Sequence, residues 1–219
     1  MRRDDYAEVL GSIIEGRRSI RRFGDAPVLE EDVMRLIQAA GQAPSADNLQ
    51  HWHFLVIRNR TVLEQMEQAI RETIEEMLTW EQIKANGNLE AMARAILRHS
   101  TFFVSAPVVV AVLAKPYNDP LQTWILPARG IPGENFRHLR DVDVQGIGAA
   151  IQNLLLMAHC LGYGACWMTG PLVAAVALER ILGVHPPWKL AAVIPIGVPA
   201  EAPRPRSRKA VSEICTFFQ

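Results

Sequence analysis

AAIQNLLLMAHCLGYGACWMTGPL, residues 149–172, is the stretch on which the fold turns. With Ile147 just upstream, Ile151, Leu154, Leu155 and Ala158 recur at the three- and four-residue spacing of a helix. That helix is strongly apolar and stops at Gly162, after which a short strand is expected at 165–168. Gly162 and Gly164 therefore read as a helix stop leading into a strand, not as a phosphate loop. Upstream, Gly146-Ile147-Gly148 lies at the expected helix start, with no strand before it and no third glycine. Neither glycine pair meets the strand–GxGxxG–helix fingerprint of a dinucleotide-binding domain, and no Walker pattern occurs.

Working outward, a helix is expected at 173–182 and a strand at 190–198. Near the N-terminus Val9, Ile13 and Ile14 fall at helical spacing ahead of Gly16. Val33, Leu36, Ile37 and Ala40 repeat the pattern over 29–42. Trp52–Ile57 is a continuous apolar run, read as a strand buried on both faces. Thr61 is placed to cap a helix running through Met66, Ile70, Ile74, Met77 and Leu78. A further helix over 89–104 precedes a valine-rich, buried strand at 107–114. From 115 to 141 periodicity vanishes among four prolines, the pattern of a variable lid or loop insertion. The tail, 199–209, is too rich in proline and arginine to pack as a helix. Few strands among many helices, without βαβ alternation, predict an α+β fold. No repeat or linker divides residues 1–219, so a single domain is expected.

Composition excludes several function classes. Lys and Arg number 23 and Asp and Glu 23, so no overall basic footprint serves nucleic acid or an anionic membrane. Local clusters must carry any anion binding. Three cysteines, Cys160, Cys166 and Cys215, form no disulfide framework and fit a reducing compartment. The N-terminal residues lack the apolar core of a signal peptide, and the longest apolar runs are too short to span a bilayer. The expectation is a cytoplasmic protein without membrane or nucleic-acid partners.

Two clusters carry chemistry. Arg17-Arg18-Ser19-Ile20-Arg21-Arg22 sets four guanidinium groups within six residues. They repel one another unless an anion or carboxylates neutralise them, and the planar guanidinium suits phosphate. The other reading is a solvated basic turn. Ala43-Pro44-Ser45-Ala46-Asp47-Asn48-Leu49-Gln50 follows a helix and precedes a strand. Its short amide and hydroxyl side chains either form turns or hydrogen-bond the pyrimidine edge and ribityl hydroxyls of a flavin. His51 and His53 alternate around Trp52 and are expected to share one face. Two imidazoles without a carboxylate or cysteine at ligand spacing make a poor metal site, and none is predicted. His159 reads as a core histidine, and no GxSxG elbow supports serine hydrolysis.

Taken together, RRSIRRF at 17–23, APSADNLQHWHFLVI at 43–57, the 149–172 stretch and IPIGVPAEAPRPRSRK at 194–209 resemble the FMN-dependent nitroreductase family. The segments match in order across nearly the whole chain, 115–141 excepted. The resemblance implies an α+β fold with a mixed, largely antiparallel sheet flanked by helices, in an intertwined homodimer with FMN at the interface. It implies that Arg17, Arg18 and Ser19 hold the phosphate and ribityl chain, with Arg21 nearer the N1/O2 edge. Pro44, Ser45, Ala46, Asn48 and Gln50 would line the flavin from the partner subunit. Thr169 and Gly170 would aim backbone N–H groups at N5 and O4, and Arg206 and Arg208 would complete the phosphate site. The implied activity is ping-pong hydride transfer from NADH or NADPH to a small electron-poor acceptor such as a nitroaromatic or quinone. The chemistry is flavin-centred, so no catalytic acid–base dyad is assigned. Related reactions on the same fold (dehydrogenase, dehalogenase, flavin-fragmenting enzyme) and a non-catalytic flavin sensor are the alternatives. They differ mainly in lid residues, here Tyr117, Trp124, Phe136 and His138. In this chain His51 stands where the family usually has proline.

Overall fold

The computed structural model describes residues 2–117, 120–130 and 142–218. Strands β1 (Trp52–Ile57), β2 (Val108–Ala114), β3 (Gly164–Ala165) and β4 (Lys189–Gly197) form one sheet in the order β1-β2-β4-β3. All three neighbouring pairs are antiparallel, with Val110 opposite Val56 on one side and Ile194 on the other. A parallel bridge from Ser19 to Ala165 at the β3 edge makes the arrangement mixed. The helices are α1 (Arg3–Gly16), α2 (Glu30–Gly41), α3 (Arg60–Leu78), α4 (Glu81–Lys84), α5 (Gly87–Thr101), α6 (Val142–Cys160), α7 (Ala175–Ile181) and α8 (Val211–Ile214).

The sheet has a core on each face, which is why β2 reads as an unbroken apolar run of valine, alanine and leucine. Val108, Val110 and Val112, with Ala192, Ile194 and Ile196 of β4, face α2 and α6. The alternate residues Val109, Ala111, Leu113 and Val193 face α3, α5 and α7. On α6, Ile147, Ala150, Ile151, Leu154, Leu155 and Ala158 are buried against the first face. Each fully buried aliphatic side chain contributes about 1.5–3 kcal/mol over exposure. On α3, Leu63, Met66, Ile70 and Ile74 supply the matching stripe on the second face.

Several boundaries differ from the sequence reading, for local reasons. The cap of α3 is Asn59, whose side chain accepts from the N–H groups of Thr61 and Val62, so Thr61 lies inside the helix. Asn86 caps α5 in the same way. Strand β1 is an edge strand with His53 and Val56 exposed, not one buried on both faces. Gly146 and Gly148 lie within α6 rather than at its start. A Cβ on Gly146 would stand 3.3 Å from the Pro44 carbonyl oxygen, so this glycine admits the 44–46 backbone. Within 115–141, residues 121–125 form one wide helical turn and 127–129 a 3-10 turn, while Phe136 and His138 lie outside the described residues. No described helix is long and apolar enough to cross a membrane.

Apolar surface is left over at two places. Helix α1 buries no residue, and its Tyr6, Val9, Leu10 and Ile14 are all exposed. Val211 and Ile214 of α8 are exposed as well, and Phe217 and Phe218 are 82% and 96% exposed.

Candidate functional site

The two arginine clusters lie some 180 residues apart in sequence and meet through backbone pairing. Ile20 N–H donates to the Ala165 carbonyl at 3.0 Å, laying the 17–21 segment along β3. A Cβ on Gly164 would fall 2.7 Å from Ile20 Cβ, so only glycine permits this approach. Beyond it, Gly24 N–H donates to the Val198 carbonyl and Ala200 N–H to the Arg22 carbonyl, each at 2.9 Å. The tail leaves β4 beside residues 22–24 and turns back over the first cluster. Glu201 fixes the crossing, its Oε1 accepting from Arg21 N–H at 2.5 Å and Arg22 N–H at 3.1 Å.

The result is a cavity of about 140 Å³ lined by Arg17, Arg18, Ser19, Arg21, Pro203, Arg204, Arg206 and Arg208. Six guanidinium groups face it, and among the described residues none forms an ion pair. Arg18 is held from behind, its Nη1 donating to the Glu15 carbonyl and, at 2.9 Å, to the Arg17 carbonyl. Among the described residues its Nε is buried without a partner. Such a concentration of unneutralised charge is an anion site by elementary electrostatics. Arg204 joins the six predicted cavity residues Arg17, Arg18, Ser19, Arg21, Arg206 and Arg208, and its every-other-residue spacing with the last two was a legible signal.

The second predicted cluster builds a cavity of about 270 Å³, lined by Pro44, Ser45, Ala46, Gln145 and Gly146. Gln145 and Gly146 were missed because the Gly-Ile-Gly run suggested a helix start. The loop beyond is strained: Asp47, Asn48 and Gln50 have φ of 51°, 54° and 49°, in the left-handed region. Non-glycine residues enter that region at a cost, and such clusters concentrate at ligand sites. Gln50 N–H donates to Ser45 Oγ at 3.0 Å and its side chain to the Asn48 carbonyl at 3.3 Å, holding the shape. Asn48 and Gln50 are exposed and do not line this cavity. The two cavities share no lining residue within one chain.

Thr169 and Gly170 form a third, exposed element where a 3-10 turn begins. A Cβ on Gly170 would stand 2.4 Å from Ser100 Oγ. Ser100 is fully buried, and its hydroxyl has no partner among the described residues. No sequence pattern signalled Ser100, which reaches this turn only through the packing of α5.

The remaining candidates separate. His51 and His53 do not share an environment: His51 is buried with its ring edge-on to Tyr117, whereas exposed His53 tilts against Trp188. His159 packs where a Cβ on Gly16 would be 2.8 Å from its Nε2, joining the end of α1 to α6. Cys160 and Cys215 are exposed thiols. Burial pushes the Cys166 thiol above its ordinary range, against the pull of Arg21, a hydrogen bond with Ser19 and Arg17. Among the described residues no group of three or more His, Cys, Asp and Glu side chains gathers as a metal site.

The chain is 30% identical over 191 residues to an Archaeoglobus fulgidus protein provisionally named NADH dehydrogenase/NAD(P)H nitroreductase, covering 86% of this chain and 84% of that one. Among solved structures, a BluB-like flavoprotein from Clostridium difficile 630 superposes with a TM-score of 0.88 at 35% identity, covering 96% of this chain and 99% of that one. A provisionally named nitroreductase from Desulfovibrio desulfuricans, in complex with FMN, superposes with a TM-score of 0.65 at 26% identity and 96% coverage of both chains. The model of the nitroreductase family matches residues 14–198. With that span covering the sheet, the first arginine cluster and the strained loop, the chain belongs to the nitroreductase family.

Proposed function

We propose that the chain is an FMN-dependent oxidoreductase that passes hydride from NADH or NADPH to a small electron-poor acceptor, and that it works as a homodimer. The observation that carries this reading is the six-arginine cavity, which has the charge to hold a phosphate monoester and no carboxylate to fill it. The donors of that cavity fit a phosphate group: among the described residues Arg18 makes no ion pair, and its Nε has no hydrogen-bond partner.

FMN, when bound, supplies the ring that accepts and donates hydride. Arg17, Arg18, Ser19, Arg204, Arg206 and Arg208 bind its phosphate and ribityl chain. Arg21, anchored through its backbone to Glu201, brings positive charge to the N1/O2 edge. Thr169 and Gly170 offer backbone N–H groups toward N5 and O4. Pro44, Ser45, Ala46, Asn48 and Gln50 cover the ring from the partner subunit, which explains why the two cavities stay separate in one chain. The exposed apolar residues of α1 and the Phe217–Phe218 end are the surface that a second copy covers. The test is an absorbance spectrum of purified protein before and after NADH and NADPH, with bleaching of a bound flavin as the expected result. No flavin binding after reconstitution refutes the reading.

A second reading is another flavin reaction on the same fold. It is favoured by the higher TM-score to the BluB-like flavoprotein, 0.88 against 0.65 for the FMN complex. Quantifying FMN after many turnovers separates the two. An oxidoreductase returns the cofactor intact, and a flavin-fragmenting enzyme consumes it.

A further inference from the structure

The tail that completes the anion cavity is tied to the rest of the chain only at its start. Its last backbone bond to the body runs from Ala200 N–H to the Arg22 carbonyl, and the Glu201 side chain accepts from the N–H groups of Arg21 and Arg22. Beyond Glu201, among the described residues, every hydrogen bond made by 202–218 stays inside the tail. No ion pair among the described residues joins that stretch to the body, and 204–218 are exposed throughout. Where the stretch sets out, Ala202 and Pro203 share a cavity of about 270 Å³ with His159 and Tyr163, so there too the tail is not packed down.

What the tail brings to the body is charge of the same sign. Arg204, Arg206 and Arg208 come up against Arg17, Arg18 and Arg21 across the cavity of about 140 Å³, and no carboxylate lines it. Glu201, the carboxylate at the crossing, is committed to backbone N–H groups. Cations on two facing walls form a clamp only around an anion, and without one the same charges push the walls apart. A phosphate monoester carries a charge of about −1.5 to −2 on oxygens that guanidinium groups from both walls can grip together.

We propose that residues 202–218 are a strap that docks only when a phosphate group lies between its arginines and those of 17–21, with the hinge just past Glu201. The identity of the ligand that closes it rests on the FMN reading above, whereas the dependence on an anion belongs to the chain itself. The strap therefore sorts flavins: one that carries a phosphate closes it and is retained, and one without leaves it open. The pairing of 198–201 with 21–24 stays in place in both states.

The experiment is limited trypsin digestion of full-length protein freed of flavin, in buffer without phosphate or sulfate, followed by mass spectrometry. The bond after Lys209 is the one read, because Lys209 lies in the strap and does not line the cavity, so a ligand there does not shield its side chain. Cleavage should be fast in the free protein and at least about tenfold slower with saturating FMN. That factor is what one charge-assisted contact across the cavity supplies when cleavage follows the open population. Riboflavin, with the same ring and no phosphate, should leave the rate within about threefold of the free protein. Inorganic phosphate, with no ring, should slow it relative to sodium chloride at matched ionic strength. Slow cleavage with no anion present overturns the proposal, as does equal protection by FMN and riboflavin, or none by either FMN or inorganic phosphate. Calorimetry reads binding of each ligand in parallel. If inorganic phosphate protects while FMN does not bind, the strap stands and the FMN reading falls.

Discussion

Arg18→Ala tests the anion cavity most directly. Of the five N–H groups on a guanidinium, those on Nη1 are committed to the Glu15 and Arg17 carbonyls at the end of α1. The other fork edge, Nε with Nη2, is the one we propose turns to phosphate, and its Nε has no hydrogen-bond partner among the described residues. Arg18 is therefore preorganised, and its loss removes a charge-assisted contact without freeing a flexible side chain to compensate. A hydrogen bond to a charged group contributes about 1.5–3 kcal/mol, or roughly 10- to 150-fold in Kd. The assay is fluorescence titration of apoprotein with FMN and, in parallel, with riboflavin, which has the same ring and no phosphate. FMN affinity should fall by that factor, while riboflavin affinity changes by less than about threefold, within the few-tenths-of-a-kcal/mol error of such contact reasoning. The wild-type preference for FMN should also weaken with salt, since the screening length is about 10 Å at 0.1 M. Equal losses for both ligands, or a wild-type protein that does not distinguish them, would refute the phosphate assignment.

Other consequences follow from separate parts of the structure. Gly170→Ala drives a Cβ to 2.4 Å from Ser100 Oγ; overpacking of this kind costs about 1–3 kcal/mol, and denaturant unfolding should show Ser100→Ala recovering much of it. Initial rates with NAD(P)H and a quinone should give parallel double-reciprocal lines if one pocket serves both substrates in turn, and intersecting lines would show a ternary complex. In flavin-reconstituted Arg21→Ala, reduction of the flavin should slow by roughly 10- to 150-fold if the lost contact is felt fully in the transition state, and an unchanged rate removes Arg21 from its role. Light scattering should find about twice the 24.4 kDa chain mass. Truncation before Pro203 should weaken both the dimer and FMN binding, because it removes three cavity arginines and the exposed Phe217–Phe218 end together. A stable monomer with full flavin occupancy would contradict the dimer.

The sequence by itself determined the elements whose signal is local. The valine-rich β2 and the 3.6-residue stripes of α2, α3 and α6 were legible because each buries its pattern against a neighbour on every turn or alternate residue. The arginine clusters were legible because like charges that close in sequence need an explanation wherever the chain goes. Caps were less so: Asn59 outcompetes Thr61 for α3 by a shift of two residues that periodicity does not encode. The apolar α1 was readable as a helix, but its lack of any buried residue was not, since a stripe records what must be covered and not by which chain. Only the tertiary structure decided what faces what. The bridge of Phe23 to Pro199 brings Arg204, Arg206 and Arg208 onto Arg17, Arg18 and Arg21. The approach of α6 to the 44–46 loop put Gly146 in the lining of a cavity rather than at a helix start. Ser100 under Gly170, and His51 between Tyr117 and a strained loop, acquire meaning from neighbours remote in sequence. An unpaired buried atom is a relation between distant segments, and no window along the chain contains it.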